Sequence, residues 1–181
     1  MLGSLGKDFK YKIIDNFLSE DELKLLEKYC FFKHRSNREH FSWSNNYNGD
    51  SGFYGDPLME SLMLKKKELI EKESNLNLLP TYSFWRMYTR FANLVKHKDR
   101  SSCEISVTTQ ISSDGTKWPI YIEGKENILK NGQAIIYLGC ELEHWRETFE
   151  GDYQAQCFMH YVDSKGPFTD FKFDKRLDVG I

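Results

Sequence analysis

Three side chains stand out for the chemistry they could do together: His97 and Asp99, separated by one lysine, and His144 further along the chain. Two imidazoles and a carboxylate suit a divalent first-row metal. An ion held on three positions keeps the others open, and non-haem Fe(II) uses that arrangement to bind a chelating co-substrate and then O2. In a pleated strand His97 and Asp99 lie two apart and project from one face, so both can converge on one ion. His144 must then return from a later strand. The same residues also suit a hydrogen-bonded loop pair and a core histidine, so the rest of the chain has to discriminate.

The chain has 181 residues, 40% of them apolar and 29% charged, with 13 Phe, 10 Tyr and 4 Trp. That length carries one domain with a real core, and the composition is that of an ordinary soluble globular protein. High aromatic use suits strands and walled pockets. A net charge of −2 predicts no nonspecific grip on nucleic acid. No apolar run approaches the ~18 residues of a membrane span, and residues 1–10 hold no signal-peptide core. Cys30, Cys103, Cys140 and Cys157 are scattered, which predicts reduced thiols and a cytoplasmic setting.

Tyr11 to Ile14 reads as a short strand. Ser19 and Glu22 form a capping box, with Leu18 and Leu23 as its hydrophobic staple, and Leu23, Leu26 and Tyr29 give the helix one apolar face to about Cys30. From Phe31 to Asp56 periodicity is lost. The stretch predicts a long loop, with Lys33, His34, Arg35 and Arg38 as a solvated charge run and His34 and His40 as surface or lid residues. Asp56-Pro57 then starts a second helix that ends near Ser74.

Past Pro80 the period changes to two. From Tyr82 to Phe91, Trp85 and Met87 face one way, and Arg86 and Tyr88 the other. If the apolar face packs on helices, the second face lines a pocket. Further strands are expected at residues 105–111, 119–122, 133–138, 144–148 and 155–162. Two helices followed by many short strands make a mainly β fold with flanking helices, either a sandwich or a barrel. The organisation expected is one domain over residues 1–181: helices and a lid loop to residue 80, the β core over 81–162, and a tail over 163–181 that either docks through Phe171 and Phe173 or frays.

At these residues the chain resembles the prolyl 4-hydroxylase-like branch of the 2-oxoglutarate/Fe(II)-dependent dioxygenases. Ile14 to Leu23 looks like the family's opening strand-to-helix passage. Tyr88, nine residues before His97, looks like its strand tyrosine, and Asn131 to Tyr137 like the Gly-x-Ala-hydrophobic strand before the distal histidine. The likeness runs loosely over residues 9–162. It implies a double-stranded β-helix (jelly-roll) core, with Fe(II) at His97, Asp99 and His144, and 2-oxoglutarate and O2 as co-substrates. The implied reaction hydroxylates a small-molecule or peptidyl substrate, such as a prolyl or other amino-acid residue, while 2-oxoglutarate is decarboxylated to succinate.

The family places an Arg or Lys about ten residues past the distal histidine, to hold the far carboxylate of 2-oxoglutarate. Here position 154 is Gln. A buried carboxylate still demands a cation or several donors. Arg146, two residues past His144, and Arg86, on the face of Tyr88, are the candidates, with Tyr88 and Gln156 as further donors. The departure keeps an alternative open: a non-catalytic, cupin-like jelly roll that binds a metal or ligand at the same place. His160 could line the pocket or be a satisfied core histidine. Arg100 is expected to be a partner of Asp99 or a surface charge, and Trp118, Tyr121 and Trp145 to be packing residues.

Overall fold

Two antiparallel sheets carry the fold. The computed structural model describes residues 10–39 and 50–180. In chain order the elements are β1 (Tyr11–Ile14), α1 (Glu20–Glu39), β2 (Ser51–Tyr54), α2 (Pro57–Ser74), β3 (Leu78–Thr89), β4 (Leu94–His97), β5 (Ile105–Ser113), β6 (Ile120–Ile122), β7 (Lys125–Asn127), β8 (Ala134–Leu138), β9 (His144–Arg146) and β10 (Tyr153–Asp163). Short 3-10 segments cover Ser101–Cys103 and Thr169–Lys175. The major sheet runs β1-β8-β5-β10-β3-β2 and the minor sheet β4-β9-β6-β7.

Alternation along each strand assigns the two faces. Trp85 and Met87 of β3, Val107 of β5, Ile136 of β8 and Cys157 of β10 join one buried core with Leu26 and Cys30 of α1 and Met59, Met63 and Ile70 of α2. The helices therefore cover the outer face of the major sheet. Trp85 stacks on Phe53 at 4.5 Å and meets Tyr29 at 6.3 Å. Arg86, Tyr88, Gln154, Gln156 and Thr108 turn to the inner face, against the minor sheet. A second buried cluster, Tyr88, Ala92, Trp118 and Phe149, closes one end of that space. Two antiparallel sheets closing on a shared interior, with helices on one outer face, form a double-stranded β-helix.

The local signals hold where they are strongest. Ser19 N–H donates to Glu22 at 2.8 Å and Glu22 N–H to Ser19 Oγ at 3.2 Å, which is the reciprocal capping box. Asp56 caps α2 by accepting from Leu58 and Met59 N–H at 3.1 and 3.4 Å, and α2 spans Pro57–Ser74 as expected.

The stretch read as loop from Phe31 is corrected. α1 continues to Glu39, and Ser51–Tyr54 is a strand paired with β3. Tertiary contacts extend the helix where apolar periodicity fades: Phe31 meets Tyr153 edge-on at 4.9 Å, His34 Nδ1 lies 2.8 Å from Ser51 Oγ, and Lys33 reaches Asp56 at 3.8 Å. His34 is thus a half-buried inter-element contact. The part of the expected lid loop over residues 40–49, with His40, lies outside the described residues. β2 and β7 are too short to show a period in sequence.

The tail docks, through charge rather than through its phenylalanines. Arg176 donates to Glu60 at 2.6 Å and to the Thr81 carbonyl at 3.1 Å. Asp174 accepts two bonds from Arg100 at 2.8 Å and one from Tyr54 at 2.6 Å. Phe171 and Phe173 instead carry Lys175 and Lys172 over their rings. Among the described residues no helix is long and apolar enough to cross a membrane, and the four cysteines are free thiols.

Candidate metal centre and anion pocket

The minor sheet brings the two histidines together. β4 and β9 pair antiparallel with His97 directly opposite His144, and their rings lie 4.3 Å apart. Between the Leu94–Arg146 and His97–His144 pairs, two residues of β4, Val95 and Lys96, face one of β9, Trp145. One extra residue of this kind is a bulge, which re-aims the side chain after it. Here it turns His97 inward at the last residue of the strand.

Asp99 reaches the same point by another route. The expectation that His97 and Asp99 share a strand face is corrected: β4 ends at His97, and Asp99 lies beyond it, before the 3-10 turn. Its N–H is held by the Gly139 carbonyl at 2.9 Å. Ser106 donates to Oδ2 at 2.7 Å. Oδ1 then lies 3.4 Å from His97 Nε2 and 3.5 Å from His144 Nε2. Ligand atoms of all three residues lie within 4.8 Å of one another.

Both rings are oriented from behind. His97 Nδ1 lies 2.7 Å from the Val95 carbonyl, and His144 Nδ1 3.0 Å from the Leu142 carbonyl. A carbonyl only accepts, so each Nδ1 carries its proton and each Nε2 is left facing Asp99. This backing is typical of metal-binding histidines. Burial would raise the Asp99 carboxyl, but its contacts with His144 and His97 hold it well below the usual carboxylate range. The contact with Asp99 in turn raises His97. An ionised carboxylate facing two Nε2 atoms fits a divalent cation.

Gly139 is part of the construction. A Cβ there would collide with Asp99 Oδ2, the Cys103 carbonyl and Ser106 Oγ. Gly139→Ala is therefore expected to push Asp99 off its position and to cost about 1–3 kcal/mol of stability from overpacking. Thermal melts and Co(II) titration check this, with metal affinity expected to fall by roughly 10–100-fold.

Arg146, two residues past His144, is 3% exposed. Its Nη1 donates to the Trp118 carbonyl at 2.5 Å and its guanidinium lies 4.7 Å from the Trp118 ring centre. Its Nε and Nη2 are buried and have no hydrogen-bond partner among the described residues. Burial pushes the guanidinium down to about 10. The Nε2 amides of Gln154 and Gln156 are also buried and unpartnered. Gln154 stands opposite Tyr88 on the inner face, and Gln156 opposite Arg86. Tyr88 is fully buried and meets Trp118 edge-on at 4.8 Å. Orphaned donors of this kind are costly unless an anion satisfies them.

Arg86 stands differently. It forks onto Asp50 through Nε at 3.0 Å and Nη2 at 2.5 Å, and lies 4.4 Å over the Tyr88 ring. Its charge is matched by a carboxylate of the protein itself. Arg100 is bound to Asp174 and lies 4.7 Å over the Tyr82 ring. Trp145 and Tyr121 stack on each other at 5.3 Å.

Sequence reading passed over Ser106, Gly139 and the amide of Gln154. Ser106 and Gly139 have no motif of their own. Gln154 stands where the family has a base, and nothing in the sequence marks its amide as a donor. A second trio, Asp99, Cys103 and His160, also places ligand atoms within 4.8 Å. There Ser106 Oγ already bridges Asp99 and His160, at 2.7 and 3.0 Å.

Comparison with known proteins places the fold. No protein-family model matches the chain, and no curated protein sequence does. Solved structures do, and they include 2-oxoglutarate/Fe(II) oxygenases. A viral collagen prolyl hydroxylase from Paramecium bursaria Chlorella virus-1, solved as its 2OG complex, is 12% identical with a TM-score of 0.67 over 90% of this chain and 100% of that one. A Pseudomonas putida prolyl-4-hydroxylase is 16% identical with a TM-score of 0.63 over 88% and 95%. A Streptomyces hygroscopicus protein with nickel and 2-oxoglutarate bound is 9% identical with a TM-score of 0.66 over 86% and 83%. The chain thus has the double-stranded β-helix fold of these oxygenases, prolyl 4-hydroxylases among them.

Proposed function

We propose that the protein is an Fe(II)- and 2-oxoglutarate-dependent oxygenase that hydroxylates a small-molecule or aminoacyl substrate. The observation that carries this reading is the buried, half-unpartnered guanidinium of Arg146, two residues from a convergent His97–Asp99–His144 trio. In this reading the trio holds the metal through His97 Nε2, Asp99 Oδ1 and His144 Nε2. Arg146 forks onto the distal carboxylate of 2-oxoglutarate, with the amides of Gln154 and Gln156 and the Tyr88 hydroxyl as further donors. The anchor thus sits on the strand of the distal histidine, and the amide of Gln154 adds a neutral donor from β10.

Bound Fe(II) would supply O2 activation, in the overall reaction of 2-oxoglutarate, O2 and a C–H bond to succinate, CO2 and an alcohol. The chain's own residues bind, orient and exclude water. Tyr88, Trp118 and Phe149 wall the anion end. Tyr82, Phe84 and Phe158, all half-buried, follow along the inner face toward Arg100 and Tyr54. That aromatic side suits an apolar or cyclic group presented to the metal.

The test is anaerobic addition of Fe(II) and 2-oxoglutarate, followed by air. The expected results are a weak visible charge-transfer band and then succinate release. A protein that gives neither is not an oxygenase of this class, and one that binds metal without turnover is the ligand-binding jelly roll instead.

A further inference from the structure

We infer that Ser106 and His160 are positioning residues that commit Asp99 to the metal through one oxygen, so that the ion keeps an open position. This rests on the metal-centre reading above and adds residues that the motif does not contain.

The geometry is a directed chain. His160 Nδ1 lies 3.0 Å from Ser106 Oγ, and Ser106 Oγ lies 2.7 Å from Asp99 Oδ2. A serine hydroxyl has one proton, and three groups compete for it: Asp99 Oδ2, the Cys103 carbonyl at 3.2 Å, and His160 Nδ1 in the tautomer that leaves it bare. The shorter contact to a charged oxygen wins. His160 then serves as donor into Oγ, which polarises the hydroxyl toward Asp99. With Oδ2 engaged, only Oδ1 faces His97 and His144. A carboxylate free to bind through both oxygens would take a second position on the ion and leave one fewer for co-substrate and O2.

The fold builds this chain deliberately. His160 and Ser106 are direct partners across β10 and β5, and the β3–β10 register slips by one residue beside His160. Tyr82 lies on the His160 ring at 4.6 Å, and its hydroxyl is 3.2 Å from Cys103 Sγ. His160 is therefore fixed on two sides, in a place where a purely packing residue would be apolar.

The experiment is anaerobic Co(II) titration of the full chain, read by calorimetry and by the ligand-field absorption of the bound ion. Ser106→Ala removes one oxygen and is the primary variant. It is expected to weaken Co(II) roughly 10–100-fold and to alter the ligand-field spectrum, with the metal-free melt close to the parent's. His160→Phe keeps the stacking on Tyr82 and loses the donor, so it should shift both readouts the same way. His160→Asn restores an N–H and should recover part of the loss. Parent affinity and spectrum in folded Ser106→Ala overturn the inference. A parent that binds no Co(II) overturns the metal-centre reading itself, and this inference with it.

Discussion

Replacing Arg146 with Met is expected to abolish 2-oxoglutarate binding while leaving the metal-free protein as stable as the parent, or more so. The two effects have one cause. Arg146 is 3% exposed, and two of its guanidinium nitrogens lack partners among the described residues. Without an anion it is a desolvated charge held by one neutral carbonyl and an aromatic face. Such groups cost stability, and apolar residues of similar volume are often neutral or favourable in their place. With a carboxylate bound, the same donors form charge-assisted bonds, and losing one side of such a buried pair costs about 2–5 kcal/mol, roughly 30- to several-thousand-fold in affinity. Thermal melts with and without 2-oxoglutarate separate the effects, since a ligand at 100 times its Kd adds about 2.7 kcal/mol. The parent should show that increment and Arg146→Met should not. Arg86→Met supplies the contrast: it takes the cation from Asp50, which is 7% exposed and keeps its bonds from Thr89 at 2.7 and 2.8 Å, so it should lower the melt and leave 2-oxoglutarate affinity within a few-fold. The reverse pattern would move the anchor to Arg86.

Asp99→Ala is expected to weaken Co(II) or Fe(II) binding by at least ~100-fold, more than the loss of a residue behind the ligands. It removes the only charge among the three proposed ligands and the acceptor that faces both Nε2 atoms. The effect should be on the ion and not on the fold. The Ser106 hydroxyl retains the Cys103 carbonyl as an acceptor, and both histidines keep their carbonyl partners at Nδ1. The metal-free melt should move little, and the stabilisation that added Co(II) gives the parent should disappear. Full Co(II) stabilisation in Asp99→Ala would show that the trio is not the metal site.

How much of this was legible beforehand depends on the range of the interaction. The capping box at Ser19, the Asp56-Pro57 start of α2 and the two faces of β3 are set by neighbours within a few residues, and those readings hold. Alternation at Arg86 and Tyr88 was enough to predict an inward polar face. The type and order of His97, Asp99 and His144 were enough to suggest three ligands. Chain order carried no information on which oxygen of Asp99 would face the histidines, because that depends on Ser106, on the missing Cβ of Gly139 and on a bulge in β4.

The choice between two arginines belongs to the same long range. In sequence both Arg86 and Arg146 are cations on inward faces of strands, and only the place of Arg146 two residues past His144 favours it slightly. Asp50 lies far back along the chain from Arg86, and pairing β2 with β3 brings the two together and matches that charge. Arg146 is left with a carbonyl and a ring. The sequence alone therefore determined the strand faces, the helix caps and which residue types could bind a metal. The tertiary structure alone decided which cation stays unmatched, because a buried charge is defined by what the fold places around it.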